Sequence, residues 1–376
     1  METSSAAATI GRRVAAEEAI PYLIQLGLLS RRDLMRGDVR VEDASRRNRN
    51  LKVVSARGSS FLLKQPNSLD GYGLEGLRRE ARHYQAFESE VGASIRRLVP
   101  RFFHYDTDRA LLVLGLIPSA IPLGQYLDSH AAAPQREVAA AAGRAIAAFQ
   151  RVPPPDCAAS GQRAEAPWAL RFTFPGPDLL RTASLGQIEA IRIVQKNSDA
   201  WNVAATVRRD YGGDCLVHGD LRWDNVLMRA RQRHANVRLW VIDWELATVG
   251  DPAWDVGSIF AALLARCVCF MQPGNEINPY SLSSGFAAQL PAAQAEIRCF
   301  WNAYLESSPN ARADPEAFLN RTVLFCGARL LQIAFEWSPG QTLTPIAACF
   351  LQLGLNLLRR PEEAPRVVFR LSVSGD

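Results

Sequence analysis

Four side chains carry the chemistry this sequence can offer. Asp220, Arg222 and Asn225 share one polar stretch, His218-Gly219-Asp220-Leu221-Arg222-Trp223-Asp224-Asn225, bounded by the apolar runs Leu216-Val217 and Val226-Leu227-Met228. Asp243 follows 18 residues after Asn225, at the end of the run RLWVI. Phosphoryl transfer needs a group to orient the attacking hydroxyl and take its proton. It also needs oxygen ligands for a divalent cation on the phosphates, and positive charge to meet the charge in transit. Asp220 suits the first task. Asn225 and Asp243 suit a hard cation that prefers oxygen, and Arg222 can reach the transferring phosphate or the acceptor. Taken singly, Asp220 and Asn225 are ordinary turn formers and Asp243 an ordinary cap. Their joint order and spacing favours a site.

The elements that must position these residues fall into two groups. Residues 14–29 read as an amphipathic helix with Pro21 as a blemish. Leu51–Ser55 and Ser60–Lys64 lie at hairpin spacing across an Ala-Arg-Gly turn, and Arg101–Thr107 and Ala110–Leu116 form a second strand pair. Residues 74–88 read as the helix between the two pairs. From Pro118 and Pro122 onward helices dominate, over 134–151, 187–209, 253–270, 290–307, 315–336 and 341–359, with short strands at Cys215–His218 and Val237–Ile242. The fold class is α+β: a small antiparallel sheet followed by a larger, mainly helical part. The expected division is an N-terminal extension over 1–37, a sheet-bearing lobe over 38–117 and a helical lobe over 118–376. Residues 1–10 are Ser/Ala-rich and expected to be disordered.

Composition narrows the class. The chain has 376 residues, enough for two lobes, and 48% hydrophobic residues can bury a sizeable core. Seven scattered cysteines do not make a disulfide framework or a metal spacing, and they suit a reducing compartment. Arg12, Arg13, Glu17 and Glu18 break the apolar core a signal peptide would need. Gly257 to Ala265, the longest apolar candidate for a membrane span, stops at Arg266. A cytoplasmic protein is expected. The net charge of +5 lies in the first third, and no nucleic-acid motif accompanies it. Only three of the 43 basic residues are lysines: Lys52, Lys64 and Lys196.

The combined pattern His218-Gly219-Asp220-x-x-x-x-Asn225, Ile242-Asp243-Trp244-Glu245 and Gly250-Asp251-Pro252-x-x-Asp255 resembles the aminoglycoside/choline phosphotransferase family, distant relatives of protein kinases. The resemblance implies a two-lobed, protein-kinase-like fold and ATP and Mg²⁺ as cofactors. It implies Asp220 as catalytic base, and Asn225 and Asp243 as metal ligands. Asp255 would brace the catalytic loop, and His218 would be a structural member of it. In such a fold Lys64, at the end of an apolar strand, is placed to contact the α/β-phosphates, and Glu80 on the next helix to hold it. Gly115, Leu116 and Ile117 would form the adenine-binding hinge. The sequence departs from a protein kinase between the first strands: Asp43–Asn50 contains no glycine, so a phosphate loop there would depend on Ser45, Asn48 and Asn50 or on arginines.

The acceptor is the least constrained part. Aminoglycosides are polycations, yet residues 257–295 contain one acid, Glu276, and residues 118–376 carry 24 basic and 24 acidic residues. Lys64-Gln65 with Asn48-Arg49-Asn50 is similar to methylthioribose kinases. Arg46-Arg47-Asn48-Arg49-Asn50, Lys64-Gln65-Pro66 and His218–Asn225 also resemble kinase-like proteins of peptide natural-product pathways, which phosphorylate Ser/Thr of a precursor peptide before a partner lyase eliminates the phosphate. The peptide acceptor is preferred. The alternatives are a small-molecule acceptor (methylthioribose, aminoglycoside or choline-like) and a non-catalytic, kinase-like binding subunit. On the peptide reading the N-terminal helix is a candidate peptide or partner surface; otherwise it only covers the sheet. Trp301, Tyr304, Phe335 and Trp337 are candidate acceptor-pocket aromatics, although an aromatic set at helical spacing more often belongs to a core.

Overall fold

The computed structural model describes residues 13–371 apart from 36, 46, 47, 69, 70, 130, 131, 155–164, 172–174, 230–236 and 270–278. The stretch 1–10, expected to be disordered, lies outside these residues. The chain forms two compact units. The first is built from Met1–Ile121 with Leu227–Gln232 and Trp240–Ala247, and the second from Pro122–Val226, Arg233–Leu239 and Thr248–Asp376.

The first unit is a five-stranded antiparallel sheet of order β1-β2-β3-β5-β4: β1 (Val39–Asp43), β2 (Asn48–Ser55), β3 (Phe61–Pro66), β4 (Phe102–Asp106) and β5 (Leu111–Gly115). β1 has no counterpart in the sequence reading. Its five residues, VRVED, carry two valines among charged residues, and none of its side chains is buried, so its apolar signal is weak. Helix α1 (Ala16–Gln25) covers one sheet face. Glu18 accepts from the Ala15 N–H at 3.0 Å and starts the helix. Gly27, at φ 70°, ends it short of the expected residue 29, with the Leu28 N–H turning back to the Leu23 carbonyl. Leu23 and Tyr22 of α1 join Leu51, Val53, Phe61, Leu63, Leu111 and Val113 in one core. Helix α2 (Gly71–Phe87) buries Leu77, Ala81, Tyr84 and Phe87, and with them Glu80.

In the second unit β6 (Cys215–Val217) pairs antiparallel with β7 (Thr248–Gly250). Around them lie α3 (Ala132–Phe149), α4 (Leu185–Lys196), α5 (Ser198–Asp210), α6 (Ala253–Cys269), α7 (Pro279–Ser307), α8 (Pro315–Glu336) and α9 (Pro345–Arg359). The single helix expected over 187–209 is two, because Asn197 leaves helical dihedrals (ψ 72°) and its side chain caps Ile193 O at 2.6 Å. Helix α7 starts earlier than the expected residue 290 and runs through Pro291. Pro315 and Pro345 do open α8 and α9, with Asp314 and Thr344 accepting from Ala317 and Ala347 N–H at 3.0 and 3.1 Å.

Helix α6 is apolar almost all round and is buried on nearly every face, as such a helix must be. The apolar run Gly257–Ala265 is therefore core. No helix among the described residues is long and apolar enough to cross a membrane. Gly257 lets α6 cross α8 closely: a Cβ there would meet Thr322 O at 2.7 Å and Cys326 N at 2.8 Å.

Candidate active site

Lys64 is the centre of the first unit's polar cluster. It lies on β3 between Asn50 of β2 and Leu112 of β5. Its ammonium pairs with Glu80 Oε2 at 2.7 Å and Asp243 Oδ1 at 2.5 Å, with the lysine side chain 7% and the glutamate 1% exposed. Burial works to lower the Lys64 pKa, but Glu80, Asp243 and Glu245 outweigh it and the net shift is upward, so the lysine stays charged.

Asp243 is held in a left-handed conformation (φ 69°, ψ 57°), which aspartate tolerates better than most residues. The next residue, Trp244, is fully buried, donates from Nε1 to Val241 O at 3.1 Å and stacks edge-on against Phe87 of α2 at 4.8 Å. His83 of α2 meets Ala247 O at 3.2 Å. The segment 243–247 is thus fastened to the helix that supplies Glu80. The carboxylates of Glu80, Asp243 and Glu245 bring ligand oxygens within 4.8 Å of one another, a donor set of the hard type a Mg²⁺ ion takes.

The glycine-poor stretch differs from the expected loop. Asn48 and Asn50 belong to strand β2, so the connection from β1 is shorter than the expected Asp43–Asn50 loop. Ser45 closes this connection: its N–H donates to Asp43 Oδ1 at 2.8 Å and its hydroxyl accepts from Asn50 N–H at 3.2 Å. Asn48 donates to Glu245 Oε2 at 3.3 Å. At the expected hinge, Gly115 N–H is committed to Arg101 O at 2.8 Å and Leu116 N–H to Ser60 O at 2.9 Å. A base bound there would be read by carbonyls or by Ile117 N–H.

The second unit holds the loop after β6. Gly219 sits at φ 81°, a conformation glycine adopts without strain. Asp255, fully buried at the start of α6, accepts from His218 N–H at 2.8 Å and Gly219 N–H at 3.2 Å. Burial raises its pKa, although these bonds favour its charged form. Gln150 donates to Asp255 Oδ2 at 3.3 Å and is itself held by the Tyr304 hydroxyl at 2.7 Å. Trp254 Nε1 donates to Gly219 O at 2.9 Å. The bracing role expected of Asp255 has this geometry behind it, and His218 takes part through its backbone. Asn225 donates to Asp220 O at 2.9 Å, so the oxygen of its amide is the atom it could offer a cation.

Arg222 is placed otherwise than expected. Rather than standing clear for a phosphate, it forks onto Asp220, with Nη2 at 2.8 Å from Oδ2 and 3.0 Å from Oδ1, and lies 3.7 Å from Glu336. Asp220 has a second cation that the sequence reading missed: Arg329 Nη2 donates to its Oδ1 at 2.6 Å. Burial opposes ionisation of Asp220, but Arg329 and Arg222 overcome it and hold its pKa below the ordinary aspartate range. The signal for Arg329 was present: it is the one charge in the apolar helical run Val323–Phe335.

The aromatic set divides. Trp301 and Tyr304 are core residues, packed on Phe260, Phe300 and Phe318, and cannot line a pocket. Phe335 stacks edge-on with Trp168 at 5.5 Å, and Trp337 is 46% exposed against Phe350.

The profile of the phosphotransferase enzyme family (APH) matches residues 40–275, and the chain belongs to that family. It is a phosphotransferase, acting on hydroxyl acceptors and using a nucleotide. Among the solved structures that share its fold are two aminoglycoside phosphotransferases. One is a mutant aminoglycoside 2'-phosphotransferase-IIIa in complex with GDP, 14% identical, covering 93% of this chain and 98% of that one at a TM-score of 0.52. The other is an aminoglycoside phosphotransferase with GDP and kanamycin, 14% identical, covering 93% and 99% at a TM-score of 0.53. The α+β, protein-kinase-like class expected from the sequence is the observed one. Comparison with curated proteins gives no match.

Proposed function

We propose that the protein transfers the γ-phosphate of ATP, as its Mg²⁺ complex, to an acceptor hydroxyl. The observation that carries this reading is the buried lysine between Glu80 and Asp243. Its charge is balanced by these two carboxylates, so a cation and an acid suited to a hard metal ion stand together, as binding of a metal-bound triphosphate requires. Lys64 binds the α/β-phosphates and Glu80 orients it. Asp243 and the Asn225 amide oxygen are the proposed cation ligands. Bound Mg²⁺ would neutralise charge on the phosphates. Asp220 accepts the hydrogen bond of the attacking hydroxyl, and Arg222 meets the charge that develops. Most of the rate arises from position and fixed charge.

For the acceptor we propose a Ser/Thr side chain of a peptide, with a partner lyase as the consumer of the phosphorylated product. A balance of charge beside Asp220, with Glu336 and Asp220 against Arg222 and Arg329, supports a near-neutral acceptor over a polycation. Methylthioribose and choline-like alcohols remain the small-molecule alternative. The six described cysteines, all free thiols, suit a cytoplasmic setting. The N-terminal helix is not part of the peptide proposal, because its apolar face is committed to the sheet.

The test is the thermal midpoint with and without Mg·ATP, in the wild type and in Asp243→Ala, followed by phosphate transfer to a Ser/Thr peptide library and to sugar and amino alcohols. A Mg²⁺-dependent rise, lost in the variant, is expected; ligand at a hundredfold excess over Kd adds ~2.7 kcal/mol of stability. No rise at millimolar Mg·ATP would favour a non-catalytic binding subunit. Transfer to the alcohols with none to peptides would replace the peptide acceptor.

A further inference from the structure

Asp220 is gripped by two arginines that differ in kind. Arg329 is 4% exposed, touches Oδ1 alone, and among the described residues has Asp220 as its ion-pair partner. Arg222 is 35% exposed, spans both carboxylate oxygens and has Glu336 as a second anion within reach. The first is fixed and the second can exchange. A guanidinium buried in a helix costs desolvation that one ion pair often fails to recover, so stability alone is a poor reason for Arg329.

The framework gives a better one. Helix α6 holds the 218–219 loop through Asp255 and Trp254. The same helix is locked against α8 at Gly257, where only a hydrogen fits beneath Thr322 O and Cys326 N. Asp220 and Arg329 are therefore referred to one rigid part, α6, from two directions.

We propose that Arg329 is the positioning residue for Asp220. It fixes Oδ1 and leaves Oδ2 as the oxygen presented to the acceptor hydroxyl once Arg222 turns to the phosphate. This inference rests on the phosphotransfer reading. It assigns Arg329 no contact with substrate; its action is through the carboxylate.

The experiment uses the full chain and Mg·ATP with water as acceptor, so no acceptor need be known. Wild type, Arg329→Gln and Arg329→Lys are compared for kcat, KM for ATP and the Mg·ATP-induced rise in midpoint, below the unfolding range of each. Arg329→Gln should lose kcat by about 100-fold, the scale at which a misplaced group costs rate, with KM and the midpoint rise unchanged. Arg329→Lys should recover to within about tenfold of wild type, since it restores the charge but not the planar donor. The inference falls if Arg329→Gln keeps kcat within threefold. It falls equally if Arg329→Lys is as slow as Arg329→Gln, for then packing and not charge is what matters. A wild type that neither hydrolyses nor is stabilised by Mg·ATP would sink the phosphotransfer reading, and this inference with it.

Discussion

Lys64 Nζ lies 2.5 Å from Asp243 Oδ1 although 179 residues separate them, and Glu80 Oε2 completes the enclosure at 2.7 Å. Asp243 is thus a counter-ion of a buried lysine as well as a proposed cation ligand. Removing either acid has a structural consequence to be separated from any effect on turnover. Glu80→Gln should lower stability by ~1–3 kcal/mol, since Lys64 keeps Asp243 at 2.5 Å and only part of its buried compensation is lost. The double variant Glu80→Leu/Lys64→Met should recover much of that loss while abolishing phosphate transfer. Urea unfolding checks the first statement and transfer assays the second. A Glu80→Gln variant as stable as wild type would mean that Lys64 is solvated in solution.

Asp220→Ala is a less clean probe of the catalytic base than its loop position implies. It would strand Arg329, so a loss of ~3–5 kcal/mol is expected beside the loss of transfer. Asp220→Ala combined with Arg329→Met should restore the melting midpoint and leave transfer abolished. If the double variant regained turnover, Asp220 would not be the base.

The same pair sets a pH dependence. Asp220 has its folded pKa lowered from 3.8 by Arg329 and Arg222, against burial. A lowered folded value means that its contribution to stability is complete above the unfolded value and fades as pH falls through the folded one. Asp220 therefore stays ionised across the neutral range, and Mg·ATP hydrolysis from about pH 5 to pH 8 should show no acid limb due to it. An acid limb near pH 6 in the wild type that moved in Arg329→Lys, where the cation beside Asp220 is altered, would contradict this.

The two clusters were legible to different degrees, for physical reasons. Asp220, Asn225, Asp243 and Asp255 stand at short, fixed spacing, because one tight loop and two short strands must deliver them; spacing of that kind survives in sequence. Lys64 was visible because lysine is scarce here and ends an apolar strand. Arg329 lies 109 residues from Asp220, and nothing local ties them, since the link is the crossing of α6 and α8. Arg222 was identified but its partner was not, because a side chain two residues from a carboxylate turns back as readily as outward. Among the elements, β1 was missed for want of apolar residues, while α6 was found from its unbroken apolar run. Trp301 and Tyr304 took the core role that aromatic residues at helical spacing more often have, and spacing alone could not separate them from Phe335 and Trp337.

The N-terminal helix should behave as core. Leu23 has no exposed surface and packs among strand residues of β2, β3 and β5. Leu23→Ala should cost ~2–5 kcal/mol, and deletion of residues 1–29 should leave an unstable protein. Circular dichroism melts decide this. A truncated chain with an unchanged midpoint and altered preference among peptide acceptors would restore the helix as a recognition surface.

The crossing of α6 and α8 offers a test of whether rate depends on framework geometry. In Gly257→Ala the new methyl would lie 2.7 Å from Thr322 O, 2.8 Å from Cys326 N and 2.9 Å from Phe325 Cβ. Two of these are backbone atoms of a long helix and cannot step aside singly, so the helices must separate, at ~1–3 kcal/mol for overpacking of this kind. Gly186→Ala is a fair comparison: its methyl would meet Thr342 O at 2.7 Å, crowding α4 against the segment before α9. Both variants should lose similar stability. Only Gly257→Ala displaces the helix that holds His218 and Gly219 relative to the helix that holds Arg329, so its kcat for Mg·ATP hydrolysis should fall about 10- to 100-fold with KM for ATP retained. Equal kcat in the two variants would show that the loop keeps its geometry without α8, and that the site tolerates movement of the frame beneath it.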